Sequence, residues 1–193
     1  MNRTGTYVAF DGLGKENPTE SDFKYYATIQ AWSANKKIDF RITNSHEKAS
    51  SVSDTSKKAT LMASIQERFR GSKNMLIVLS SDTRKSGSVL SDEIEMAIDN
   101  YEIPLIIAYV DYRVIAAAKD LSSYFPYSLS SRLSKPTTNA IHIPFAKDAI
   151  FCAINQFSPE QPPKGVGYGI YDEGTYKAWG LLGQNEAFTN KRT

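Results

Sequence analysis

The stretch SGSVLSDEIEMAIDN, residues 86–100, carries four carboxylates: Asp92, Glu93, Glu95 and Asp99. Its apolar residues recur at helical spacing, and a helix advances about 100° per residue. With Leu90 set at zero, Ile94, Ala97 and Ile98 fall within roughly 80° of it. Asp92, Glu95 and Asp99 cluster on the opposite side and form a solvated face. Glu93 lands about 60° from Leu90, between Ala97 and Val89. One acid of the four therefore sits at the margin of the apolar stripe. Geometry alone leaves two readings open. A boundary glutamate snorkels to water or caps a neighbouring loop. A marginal carboxylate beside a cleft is instead a catalytic candidate, because burial and neighbours tune its ionisation.

Other reactive side chains are few. The two histidines are His46, in a polar stretch, and His142, in the β-prone run AIHIP, where a satisfied packing role is expected. A zinc site lacks ligands, and a Cys–His nucleophile pair has little support. The single cysteine, Cys152, cannot form an internal disulfide. Its apolar neighbours in AIFCAINQF predict a buried small residue.

These groups need elements to hold them. TYVAF, residues 6–10, is a β-prone run that stops at the loop composition DGLGKENP. Residues 19–35 read as a helix capped by Thr19, with Tyr25, Ile29 and Trp32 as a buried stripe. IDF at 38–40 opens a second strand that ends at residue 43. Residues 44–57 form a long polar, Ser-rich loop. Leu61, Ile65 and Phe69 mark an amphipathic helix that Gly71 ends. NMLIVLS, IPLIIAYVD and AIHIPF are apolar runs typical of strands covered on both faces. KDAIFCAINQF closes as a helix, and a short helix is expected near VIAAAKDL within the less regular residues 112–139.

This alternation predicts an α/β fold: an open five-stranded parallel sheet of flavodoxin-like order 2-1-3-4-5 with helices on both faces. Ligands of such sheets bind beyond the carboxyl ends of the strands, near the switch between strands 1 and 3. Phe10 and Asp11 stand at one of those ends, and Ser80 and Ser81 at the other. Residues 158–193, rich in Pro, Gly and Tyr, read as a C-terminal extension packed on a domain of residues 1–157.

Composition narrows the function classes. With 41% hydrophobic and 23% charged residues, the 193-residue chain has the balance of an ordinary folded domain. A net charge of +2 without a long basic run argues against nucleic acid as the partner. No stretch approaches the ~20 apolar residues of a membrane span. The N-terminal apolar run is too short for a signal peptide, so a cytoplasmic location is expected.

The ordered set YVAFDG, IDF, SKNMLIVLSSDT, VLSDEIEMAID and IPLIIAYV resembles a TIR (Toll/interleukin receptor) domain. It resembles more closely the TIR-like branch that includes ThsB, the sensor component of bacterial Thoeris anti-phage defence. The resemblance covers residues 5 to 155. It implies a TIR-type flavodoxin-like fold and cleavage of NAD, as a substrate and with no further cofactor or metal. In enzymatic members a glutamate on this helix is essential, and the matching position is Glu93. Position then offers substrate contacts for Phe10 by stacking, Asp11 on ribose or else as a turn cap, Ser80 and Ser81 on phosphate or ribose, and Arg84 on pyrophosphate or else as a solvated loop residue, with Asn44 a further substrate-binding candidate. Asn44 and His46 begin the loop that corresponds to the TIR BB loop, which mediates TIR–TIR contacts or gates the site. Family members often carry Trp four residues before the glutamate, where this chain has Val89. The FDG end of strand 1 also lacks the aromatic–histidine arrangement of some relatives.

The resulting expectation is a sensor that makes a cyclic ADP-ribose-like messenger and nicotinamide, answers a phage-derived trigger, and reaches a separate effector through that messenger. The competing expectation is a non-enzymatic TIR-type module that self-associates. A response-regulator or nucleotide-binding domain fits less well. Strand 1 lacks a paired acidic cluster, strand 3 ends in SSDT, and no G-x-G-x-x-G follows strand 1.

Overall fold

The structure is a computed structural model that describes residues 3–13, 22–34, 42–43 and 55–193. Its elements are β1 (Gly5–Ala9), α1 (Phe23–Ser33), β2 (Ile42–Thr43), α2 (Thr55–Gly71), β3 (Ser72–Leu79), α3 (Val89–Asp99) and β4 (Leu105–Tyr109). There follow β5 (Tyr112–Val114), a 3₁₀ helix (Ala118–Tyr124), α4 (Tyr127–Ser130), β6 (Ala140–Pro144) and α5 (Lys147–Gln156). The C-terminal part supplies β7 (Gly169–Ile170), α6 (Glu173–Ala178) and β8 (Lys191–Arg192).

The main sheet runs β2-β1-β3-β4-β6-β7, and every pair in it is parallel. Its first five strands have the expected 2-1-3-4-5 order. The sixth, β7, comes from the C-terminal extension and lies beside β6 at Ile141↔Gly169 and His142↔Ile170. Alternation along each strand sorts side chains onto two faces. Tyr7, Ala9, Met75, Ile77, Leu105 and Ile107 pack against Ile65 and Phe69 of α2 and Leu90, Ile94 and Ala97 of α3. Val8, Phe10, Leu76, Val78, Ile106 and Ala108 pack on the other face against Tyr26 and Ile29 of α1 and Ile150 and Ile154 of α5. A parallel sheet covered twice has no polar face, which is why β3 from Met75 to Leu79 and all of β4 are continuous apolar runs. Crossing from β1 to α1 on one face and from β3 to α3 on the other leaves a crevice between the ends of β1 and β3.

Several local expectations are revised. Helix α1 starts at Phe23 after Asp22, and Thr19 lies outside the described residues. Its buried residues are Tyr26 and Ile29. Tyr25 and Trp32 are only half-buried and pack against Phe145, Tyr25 edge-on and Trp32 tilted, with ring centroids 5.2 and 5.5 Å away. The residues expected as loop up to 57 already belong to α2 from Thr55, and Gly71 ends that helix directly before β3. Cys152 is half-buried, not buried. It points away from the α5 stripe of Ala149, Ile150, Ala153 and Ile154, about 200° round the helix from Ile150.

The extension is tied in closely. Tyr176 is fully buried in the α2–α3 core, and its hydroxyl accepts from the Ile115 backbone N–H at 3.3 Å. The short ladder of β5 with β8 adds a second, antiparallel sheet. Gly167 has φ +64° and lies against Leu133, where a Cβ would come within 1.8 Å of the carbonyl oxygen. Only glycine fits there. Among the described residues, no helix is long and apolar enough to cross a membrane.

Candidate functional site

Helix α3 begins after Ser88, whose backbone is extended, and Asp92 in its first turn suits the helix dipole. Its buried face consists of Leu90, Ile94, Ala97 and Ile98, and Glu93 is buried with them at 2% exposure. The marginal acid thus turns inward. Its three fellows do not. Asp92 is half-buried, and Glu95 and Asp99 lie exposed on the outer face. Arg132 reaches Glu95 at 3.4 Å and Asp99 at 2.8 Å, and Lys135 reaches Asp99 at 3.1 Å. The outer acids therefore pin α3 to the α4 region as screened surface pairs.

Glu93 meets β1. The Tyr7 hydroxyl donates to Glu93 Oε1 at 2.5 Å. The Tyr7 ring is held flat on Phe69, with centroids 4.2 Å apart and planes 25° apart. Phe69 in turn stacks on Tyr101 at 5.3 Å. Oε2 of Glu93 is buried and has no hydrogen-bond partner among the described residues. Three serine hydroxyls, of Ser88, Ser91 and Ser128, share that condition, so Glu93 is the one ionisable group among the four. A buried acceptor left open costs about 1–3 kcal/mol, more when charged. Burial accordingly pushes the Glu93 carboxyl up to about 8, with Asp92 adding to the shift, while the Tyr7 bond and Arg68 oppose it. Burial and the neighbouring Glu93 also hold the Tyr7 phenol far above its ordinary value. Burial therefore favours the neutral form of the pair, with one carboxyl oxygen unengaged among the described residues.

The crevice above is organised by a second carboxylate. Asp11 follows β1 and is 1% exposed. Arg84, in the loop after β3, grips it with Nη2 at 2.6 Å from Oδ1 and Nε at 3.0 Å from Oδ2. The backbone N–H groups of Arg84 and Leu13 complete the ring at 2.9 Å each. Burial opposes ionisation of Asp11, but Arg84 and these N–H donors outweigh it and hold the carboxyl below its usual range. Two residues expected to meet ribose and pyrophosphate thus meet each other, closing β1 onto the β3 loop.

Ser80 is equally engaged. Its Oγ donates to Asp22 at 3.1 Å and accepts from the Asp82 N–H, while its N–H donates to Thr83 Oγ1. Asp22 is buried, and burial raises its carboxyl to about 6 against the Ser80 bond, with Asp11 adding. Ser81 is exposed, and its N–H donates to Asp111 at 3.1 Å. Phe10 is buried on the face opposite Glu93, near Tyr26 and Phe23 at 5.5 and 6.0 Å. Val89, one turn before Glu93, is 43% exposed. Asn44 and His46 lie outside the described residues.

The structure therefore brings Asp11, Ser80, Ser81 and Arg84 together at the strand ends, sets Glu93 on the α2–α3 face, and puts Phe10 behind the sheet. Tyr7 and Asp22 were not singled out from the sequence. Tyr7 left a signal, since a tyrosine inside a short core strand needs a partner for its hydroxyl. His142 is the packing residue expected. Its Nε2 donates to the Gly167 carbonyl at 2.8 Å, so Nδ1 accepts from Tyr109 Oη at 2.7 Å. Among the described residues, no group of three or more His, Cys, Asp or Glu is placed to hold a metal ion.

The family model described as Thoeris protein ThsB, TIR-like domain, matches residues 7–114. That span runs from Tyr7 through Asp11, Arg84 and Glu93 to the end of β5, more than half of the chain. The chain belongs to the Thoeris ThsB TIR-like domain family.

Proposed function

We propose that this Thoeris-type TIR-like protein cleaves NAD at the bond between nicotinamide and ribose, with Glu93 as the catalytic carboxylate. The observation that carries the reading is the single inward acid of α3, buried and, among the described residues, bound through only one of its oxygens. Nicotinamide is cationic in NAD and leaves as a neutral molecule, so the usual general acid of glycoside cleavage is not required. What remains is to stabilise an oxocarbenium-like ribose. A carboxylate that accepts from ribose hydroxyls does this, and one such preorganised group is worth about 10²–10³ in rate. The cationic substrate also favours the ionised form of Glu93, countering the burial that keeps it neutral at rest. Water as the second nucleophile yields ADP-ribose. A group of the same nucleotide yields a cyclic messenger for a separate effector.

Glu93 is 2% exposed, so this reading requires the site to open before NAD reaches it. A phage-derived trigger is the natural agent, since it would restrain NAD loss in uninfected cells. A second reading, a module that only assembles with other TIR domains, is favoured by that same burial. The deciding experiment measures NAD and its products by mass spectrometry in cells carrying the protein, with and without phage infection. Infection-dependent nicotinamide release and a cyclic ADP-ribose isomer, both lost in Glu93→Gln, are expected. Unchanged NAD across several phages, together with self-association of the protein, would favour the assembly module instead.

A further inference from the structure

We propose that Tyr7 is the residue that positions Glu93 for this reaction, holding Oε1 so that Oε2 is presented to the ribose. The inference rests on the NAD-cleavage reading above and assigns a role within that site. A glutamate side chain has rotatable bonds, and in an apolar wall an unheld carboxyl could turn away from the substrate. Here one oxygen is fixed at 2.5 Å by a phenol. The phenol itself cannot swing, because its ring lies on Phe69 and its backbone is paired in the β1–β3 ladder at Tyr7↔Met75.

The division of labour between the two oxygens follows. Oε1 is used by the protein. Oε2 has no partner among the described residues, and a ribose hydroxyl is the donor that would complete it. Tyr7 also acts on the charge. The groups facing Glu93 are Tyr7 from β1, Arg68 from α2 and Asp92 from α3 itself. Tyr7 and Arg68 favour the ionised form, while burial and Asp92 oppose it. Removing the Tyr7 hydroxyl therefore leaves the carboxyl harder to ionise. Because the reaction needs the carboxylate, the acid limb of the rate profile must then move to higher pH.

The test compares the full-length wild-type protein with Tyr7→Phe and Glu93→Gln. Phenylalanine keeps the ring on Phe69, and thermal melts establish that the variant is folded. The first readout is independent of turnover: ¹³C-carboxyl NMR of glutamate-labelled protein, with Glu93 assigned by its loss in Glu93→Gln. The Glu93 midpoint is expected to rise in Tyr7→Phe, and an unmoved midpoint would overturn the proposal. The second readout is NAD turnover in the triggered state. A hydrogen bond to a charged group predicts a fall in kcat of about 10- to 100-fold. KM is expected to stay within about threefold, as for a group used mainly in the transition state. The acid limb of kcat is expected to shift upward with the NMR midpoint. Wild-type kcat and limb in Tyr7→Phe would refute positioning while leaving the enzyme reading intact. NAD untouched by wild type as well would refute the enzyme reading itself, and the role of Tyr7 with it.

Discussion

His142 and Glu93 are both ionisable and both nearly sealed from solvent, at 0% and 2% exposure. Each is pushed toward its neutral form by burial, His142 down to about 4 and Glu93 up to about 8. Their hydrogen bonding separates them. Both nitrogens of His142 are used, by Tyr109 Oη and the Gly167 carbonyl, and the ring stacks with Tyr109 and Tyr168 at 5.9 and 6.0 Å. Glu93 has one oxygen bonded and, among the described residues, one open. A buried polar group whose capacity is consumed has nothing left for a ligand and serves to fix the packing around it. A group with an open acceptor carries a standing cost that a substrate can remove. Burial alone therefore did not mark the candidate site. The unspent acceptor did.

The sharpest way to break this contrast lies on the His142 side. If that region is closed packing, it should tolerate almost no added volume. Gly167→Ala would place a Cβ 1.8 Å from the Leu133 carbonyl oxygen, in a backbone conformation that L residues seldom adopt. The loss of stability is expected to exceed roughly 4 kcal/mol, read from urea unfolding. A change under roughly 1 kcal/mol would mean that this wall is loose, and that full hydrogen bonding at His142 says little about rigidity.

The next effect belongs to Glu93. Its folded value lies near 8 against 4.5 for the free side chain, so the folded state binds the extra proton between these limits. Stability from this group is complete below pH 4.5 and is lost as pH rises through 8. The whole shift corresponds to roughly 5 kcal/mol. Glu93→Gln keeps a neutral side chain of similar shape and removes the titration. The variant is expected to gain stability over wild type steadily from pH 5 to pH 9 in matched denaturation curves. Parallel curves would show that the carboxyl ionises freely and that its pocket is not dry.

How much of this was visible in the chain depends on whether the cause was local. The apolar runs within β3, β4 and β6 declared themselves because a doubly covered parallel strand is mainly apolar, its buried polar residues such as Asn74 and His142 finding hydrogen-bond partners. Angle alone set Glu93 at the margin of the α3 stripe and left open whether it turned inward or out to water. By contrast, β7 is two residues long, and its membership of the sheet is decided by where the chain returns, not by its composition. Asp11 and Arg84 were each singled out, yet their mutual grip spans 73 residues of sequence and has no local trace. The Tyr7–Glu93 bond spans 86. Cys152 was misplaced for a different reason. Its apolar neighbours were read as an environment, when on a helix they mark only the opposite side.

The smallest effect tests whether the two groups oppose each other as their shifts require. His142 is protonated near pH 4 when folded and near 6.5 when free. The unfolded chain therefore binds more protons between those values, and stability rises with pH through that window. Complete above pH 6.5, the contribution falls away by roughly 3 kcal/mol as pH drops to 4. Glu93 runs the other way from 4.5 to 8, and Asp22, raised to about 6, adds to Glu93 from 3.8 upward. In wild type the opposing slopes partly cancel between pH 4.5 and 6.5. His142→Phe keeps a flat ring between Tyr109 and Tyr168 but leaves Tyr109 Oη and the Gly167 carbonyl unpaired, so it is less stable at every pH. The informative quantity is its slope. Without the histidine, stability should decline with rising pH from 4.5 to 8, uncovering the carboxyls. Glu93→Gln should flatten the profile from pH 4 to 6, where the rise from His142 is still offset by Asp22. If His142→Phe leaves the wild-type slope unchanged, His142 titrates alike in both states, and its two hydrogen bonds do not seal it as the geometry implies.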